Sequence, residues 1–247
     1  MDDAEALNAI LIPPQLEAFR ARFSLETAPL EAVFTGYSKL AILTPDSVFL
    51  FPRHAGNVSG MEREARVLEA LASQSLAWLP GLLGRWQDDD IYPHPFIATS
   101  RMSGVSLARL IDKLPFDALM AFMRNLGEVL AGLHQIPLSC LPPDLHQFSQ
   151  VPLSVWHRKV TGGEVESAVI EAVDLMEGPL RLGAQARVVQ HAWIDALAPL
   201  SGIEDCVIHG DVCENQFLVD ESSLAIYGVI DWGESSAGNP LANFDFG

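Results

Sequence analysis

Apolar residues recur along this chain with two different periods, and the change between them divides it. In the first hundred residues they fall in short runs bounded by turn formers. Residues 30–34, 40–43 and 48–51 predict three strands, with Gly36-Tyr37 and Thr44-Pro45-Asp46 as the turns between them. Residues 82–87 and 96–100 predict two more. Between these groups Met61, Ala65, Leu68 and Leu71 or Ala72 return at helical spacing, which predicts a helix over residues 61–72 with those positions buried. A shorter helix is predicted over 15–23, after Pro13-Pro14. This part reads as a mostly antiparallel sheet carrying one helix.

Past Arg101 to Gly104 the pattern turns helical. Residues 116–135 carry Leu119, Met120, Met123, Leu126, Leu130 and Leu133 at helical spacing, which predicts a buried helix ended by Pro137, Pro142 and Pro143. Further helices are predicted over 164–176 and 184–197. Short strands return at 206–208, 217–219 and 226–230. The fold class expected is α+β, with a small β-rich N-terminal lobe (residues 1–101) and a larger, mainly helical lobe (102–247). A cleft between two lobes is a natural ligand site.

Composition narrows the function classes. The formal charge of −17 disfavours nucleic acid and anionic membrane as partners and would attract a cationic small molecule, although acidity also serves solubility alone. No stretch of eighteen apolar residues is present, and the acidic start lacks the basic region of a signal peptide. Cys140, Cys206 and Cys213 form no CxxC pair, so a reducing, cytoplasmic setting is expected, without disulfides or structural zinc.

The candidate chemistry lies near the C-terminus. An apolar strand delivers His209-Gly210-Asp211. A polar loop and a second strand follow, and a third strand ends on Asp231-Trp232, 231 − 211 = 20 residues on. Two carboxylates at neighbouring strand ends suit metal-assisted phosphoryl transfer, one meeting the acceptor hydroxyl and the other holding Mg²⁺ on nucleotide phosphates. The bland alternative for Asp211 is a turn aspartate capping a backbone amide. P-loop, Rossmann, zinc-protease and serine-hydrolase motifs are absent from the sequence.

His209 to Asp220, then Gly228 to Gly233, then Gly238-Asn239-Pro240 resemble the aminoglycoside phosphotransferase family, which shares a protein-kinase-like fold. Weaker similarity extends upstream through Phe49 to Arg53, Glu62 to Leu71, Ser103 to Leu107 and Leu130 to His134. The resemblance implies a bilobal kinase-like fold and transfer of a γ-phosphoryl group from ATP or GTP, with Mg²⁺, to a hydroxyl of a small molecule. An aminoglycoside is the favoured acceptor, and antibiotic resistance the setting. By position, Asp211 is the implied catalytic aspartate, His209 a structural member of its loop, and Asp231 a metal ligand. Gln216 stands where the family has a metal-binding Asn, with Asn215 just before it. The nucleotide base is expected against the backbone of residues 96–102, which brings in Thr99, Arg101 and Met102. Gly36 falls where the family's phosphate-covering loop lies, although a plain hairpin turn fits it too.

Three departures from the family pattern stand out. Besides Gln216, the position that normally offers a cation to the phosphates is Leu50, leaving Arg53 or Lys39 to reach in from elsewhere. Glu64 matches the helix glutamate that pairs with that cation, or else faces solvent. The sequence also stops 247 − 231 = 16 residues after Asp231, where the family continues with further helices, so a fragment or a short variant is expected. These departures support an alternative reading as a kinase-like nucleotide-binding module with impaired catalysis. A metal-dependent hydrolase built on His209, Asp211 and Asp231 is a third reading.

Overall fold

A computed structural model describes residues 3–34, 37–146 and 204–243. The two predicted helices at 164–176 and 184–197, and Gly36, lie outside the described residues. The chain divides into two compact units. The first comprises residues 1–129 and 213–234, and the second 130–212 and 235–247.

The first unit is built on a five-stranded antiparallel sheet of order β1-β2-β3-β5-β4. Its strands are β1 (Glu31–Val33), β2 (Lys39–Leu43), β3 (Ser47–Pro52), β4 (Leu82–Asp88) and β5 (Tyr92–Ser100). The sheet ends at Ser100. The Thr44 hydroxyl shapes the β2–β3 turn by accepting the N–H groups of Asp46 (3.3 Å) and Ser47 (2.9 Å).

Strand alternation gives the sheet two different faces. Leu40 and Ile42 pair with Phe51 and Phe49, and this face is covered by α1 (Asp3–Ile10) and α2 (Pro13–Phe23). Helix α1 has no counterpart in the sequence reading. Pro13 and Pro14 occupy the first turn of α2, where their missing N–H groups cost nothing, and the Gln15 side chain accepts the N–H of Ile12 (3.1 Å). Phe19 meets Phe49 edge-on with ring centroids 4.8 Å apart, and Phe51 stacks on Phe96 at 5.0 Å. The opposite face carries Lys39, Ala41 and Leu50. There α3 (Val58–Leu71) packs Met61 and Ala65 against Ile97, with Leu50 and Leu82 alongside.

A second sheet of this unit, β6-β8-β9, joins β6 (Val105–Ser106), β8 (Phe217–Val219) and β9 (Ile226–Val229). Helix α4 (Phe116–His134) starts beside it. Phe122 packs edge-on against Phe217 (5.6 Å), and the Asn125 amide donates to the Leu224 carbonyl (3.1 Å). The buried stripe of α4 is Phe122, Leu126, Leu130 and Leu133, while Met120 and Met123 are exposed. The sequence reading took both methionines as inward. Steps of four, four and three residues keep one stripe in line, and the two methionines fall on its flank.

In the second unit β7 (Cys206–Ile208) pairs antiparallel with β10 (Ser236–Gly238), joining Ile208 to Ser236. No described helix is long and apolar enough to cross a membrane.

Phe51 is fully buried in the aromatic layer, whereas Phe116 is 72% exposed. Phe51→Ala is expected to cost about 3–5 kcal/mol and Phe116→Ala less than about 0.5 kcal/mol, compared by urea unfolding.

Candidate active site

In the first unit a charged cluster forms from segments far apart in sequence. Lys39 opens β2 and lies on the face that α3 covers. Glu64 lies on the buried stripe of α3, three residues after Met61. Asp231 follows β9 by two residues. The Lys39 ammonium donates to the Glu64 carboxylate and to Asp231 Oδ1, the latter at 2.6 Å. Side-chain exposure is 12% for Lys39, 4% for Glu64 and 39% for Asp231, so the cluster is dry on the Glu64 side and open at Asp231. Burial pulls the Lys39 ammonium down, but the carboxylates of Glu64 and Asp231 more than reverse this and leave it well above its ordinary value. Burial also raises Glu64, offset in part by Lys39.

The backbone around Asp231 explains how its carboxylate is presented. Asp231 has φ 67°, a left-handed conformation that aspartate tolerates better than most residues. The chain then enters a 3-10 turn, Trp232–Glu234. The Trp232 indole donates to the Val229 carbonyl (2.8 Å) and stacks on Trp78, with centroids 5.9 Å apart. The Trp232 N–H lies 3.4 Å from Glu64 Oε1, so the helix carboxylate also holds the turn. A β-carbon at Gly233 would lie 3.4 Å from the Gly60 carbonyl, so this turn sits close against the start of α3.

Gln216 is buried, while Asn215 beside it is exposed. The Gln216 carbonyl accepts the N–H of Ile230 (2.9 Å), which extends the β8–β9 ladder and sets Gln216 opposite the residue before Asp231. Both side chains offer oxygen donors, the type Mg²⁺ prefers. Among the described residues no group of three His, Cys, Asp or Glu side chains forms a metal cage. Oxygen donors of this type fit a hard divalent cation.

The remaining nucleotide candidates are placed as follows. Thr99 is buried in β5 between Val48 and Leu82. The Arg101 N–H bonds to the Asp46 carbonyl (3.0 Å) and its guanidinium to the Thr44 carbonyl (2.8 Å), so Arg101 clasps the β2–β3 turn. Met102 packs over Gly228, where a β-carbon would lie 2.8 Å from that of Met102. The Arg53 guanidinium donates to the Phe34 carbonyl (2.5 Å). Among the described residues, Lys39 is the cation that reaches Glu64.

In the second unit His209, Gly210 and Asp211 follow β7, with Gly210 at φ 84°. His209 is 1% exposed, and its Nδ1 accepts the N–H of Asp211 at 3.3 Å. The fully buried Asn243 fastens this turn. Its Oδ1 accepts the N–H of His209 (2.7 Å) and of Gly210 (3.4 Å), and its amide faces His134 Nε2 (2.8 Å). Two backbone donors fix the oxygen, so the NH₂ must point at the imidazole, and Nε2 accepts as a neutral ring. The Ser235 hydroxyl donates to the His209 carbonyl (3.0 Å). Cys206, at the start of β7, is pushed up to about 12 by burial and by Asp205, so its thiol stays protonated.

With this geometry, comparison with known proteins is decisive for the family. A family model described as the phosphotransferase enzyme family matches residues 36–244, well over half of the chain. The chain belongs to this phosphotransferase family. An aminoglycoside 3'-phosphotransferase of Streptomyces ribosidificus is 25% identical over 201 residues, 80% of this chain and 64% of that protein. The chain thus spans just under two thirds of that relative's length. Among solved structures, the GDP and kanamycin complex of APH(2")-IIIa matches with TM-score 0.63 and 20% identity over 93% of this chain and 75% of the other. APH(3'')-Id from Streptomyces rimosus matches with TM-score 0.56 and 19% identity, covering 98% of this chain and 81% of the other. These likenesses show that the chain has the α+β, kinase-like fold of aminoglycoside phosphotransferases.

Burial holds His134 below the ordinary histidine value. Its neutral form belongs to the fold, so the stability it contributes is present at neutral pH and is lost as pH falls below about 6.5. Asn243→Asp replaces the amide donor with a carboxylate that favours the imidazolium. The His134 pKa, followed by NMR titration, is expected to move upward in that variant.

Proposed function

We propose that this chain is a phosphotransferase that moves the γ-phosphoryl group of ATP or GTP to a hydroxyl of a small cationic acceptor, with an aminoglycoside favoured. The carrying observation is the cluster of Lys39, Glu64 and Asp231, a cation and an accessible carboxylate held together in a family-matched segment. Kanamycin and GDP in the related complex support the acceptor and nucleotide classes. The formal charge of −17 supports a cationic acceptor.

In this reading Asp211 orients the acceptor hydroxyl and takes up its proton. His209 keeps that loop in shape through its ring contact with the Asp211 N–H. Asp231 and Gln216 would hold Mg²⁺, which supplies charge neutralisation on the phosphates when bound. Glu64 keeps Lys39 in place. The backbone of residues 96–102 binds the nucleotide base, with Thr99, Arg101 and Met102 shaping that edge, and Gly36 belongs to the loop over the phosphates. Residues 1–101 form the nucleotide-binding lobe and 102–247 the catalytic and acceptor-binding lobe. The setting is cytoplasmic.

A coupled ADP- or GDP-release assay over a panel of aminoglycosides tests this. Asp211→Asn is expected to lower kcat by about 10²–10⁴-fold with little change in nucleotide affinity. Asp231→Asn is expected to raise KM for the Mg-nucleotide as well. Equal turnover by both variants and the parent would discard the assignment. Mg-nucleotide binding without turnover on any acceptor would favour the impaired nucleotide-binding module.

A further inference from the structure

The strand register places Lys39 opposite Pro52 and Ala41 opposite Leu50. Lys39 and Leu50 are therefore diagonal neighbours on one face of the sheet, the face covered by α3. Leu50 takes part there in the apolar cluster of Met61, Ala65 and Ile97, while Lys39 extends to Glu64 and Asp231. An ammonium has three N–H donors. One goes to Glu64 and one to Asp231 Oδ1, and the third has no protein acceptor among the described residues. The side chain is 12% exposed beside a carboxylate that is 39% exposed, so an incoming anion can meet the third donor at the open side of the cluster.

We propose that Lys39, on β2, is the cation that contacts the nucleotide phosphates, serving from its own strand the place that a basic side chain at Leu50 on β3 would fill. This rests on the phosphotransferase reading, because a phosphate-bearing ligand at Asp231 is what makes the third donor useful. The role is positioning and charge neutralisation at the phosphates. A structural role, in which Lys39 only neutralises Glu64, makes a different prediction. It would weaken the fold without discriminating between ligands that carry phosphates and ligands that lack them.

The test measures binding of Mg-ATP and Mg-GTP, and of adenosine and guanosine, to the full chain by calorimetry. The variants are Lys39→Met, the double variant Lys39→Met with Glu64→Gln, and Lys39→Met with Leu50→Lys. The double variant leaves no unpaired buried carboxylate, so it keeps the test readable if Lys39→Met alone unfolds. The expected result is a loss of about 10- to 100-fold in triphosphate affinity in the first two variants, the size of one charged hydrogen bond. Nucleoside affinity should be unchanged, and Leu50→Lys should recover a large part of the loss. Unchanged triphosphate affinity, or equal losses for triphosphate and nucleoside, overturns the role of Lys39. Loss without recovery overturns the equivalence of the two strand positions. If the unaltered chain binds neither Mg-nucleotide, the phosphotransferase reading itself fails, which is a separate outcome.

Discussion

The buried ammonium of Lys39 is the constraint on which the first unit depends. Its partners are 25 and 192 residues away in sequence, so one side chain fixes β2, α3 and the tip of β9 together. Such a cluster is weak evidence for net stability, because desolvating Lys39 and Glu64 costs about as much as the attraction returns. Its effect is on specificity. A one-residue slip of β2 would turn Lys39 into the aromatic layer of Phe49, Phe51 and Phe96, and would bring Leu40 up against Glu64. Neither charge would then have a partner. The register of the sheet and the pairing of the cluster are therefore one choice.

Several features that look separate follow from this choice. Asp231 reaches Lys39 only because its backbone turns left-handed at once after β9. That turn is held from behind by Trp232, which sits between its own indole bond to Val229 and the face of Trp78. The turn at Gly233 settles on the start of α3, and Glu64 accepts from the Trp232 N–H while also holding Lys39. One carboxylate thus sets both the height of the loop and the position of the cation. In the second unit Asn243 has a comparable part, with its oxygen on the His209 turn and its amide on His134.

How far these arrangements could be read from sequence depends on their range. Strands β7 and β8 fall at the predicted residues, since short apolar runs between turn formers carry the signal locally. For Glu64 the sequence left pairing with a cation and a solvated face both open, and the structure buries it three residues after Met61, on the stripe that Ala65 and Leu68 continue. Lys39 was harder. Alternation with Leu40 and Ile42 places it on the non-core face, but only the pairing Ala41–Leu50 brings it beside Glu64, and strand register is a tertiary fact. The outward turn of Met120 and Met123 was missed because a broad apolar stripe does not name its centre line, and Phe122 took that position. Helix α1 carries only eight residues, too few for its periodicity to stand out.

The electrostatics of the chain set two demands against each other. A formal charge of −17 would draw in the proposed cationic acceptor but would oppose a polyanionic nucleotide. The opposition is long-ranged and passes through water, where screening reduces it beyond about 8 Å at physiological ionic strength. The attraction needed at the phosphates is short-ranged and can be supplied where water is excluded. Lys39 meets that condition, since its stem is buried and Glu64 holds its charge in place from the dry side. In the proposed function, a nucleotide arriving with its own divalent cation would bring further neutralisation at the exposed carboxylate of Asp231. An acidic chain and the proposed phosphate-binding centre would be compatible because the first acts at a distance and the second at contact.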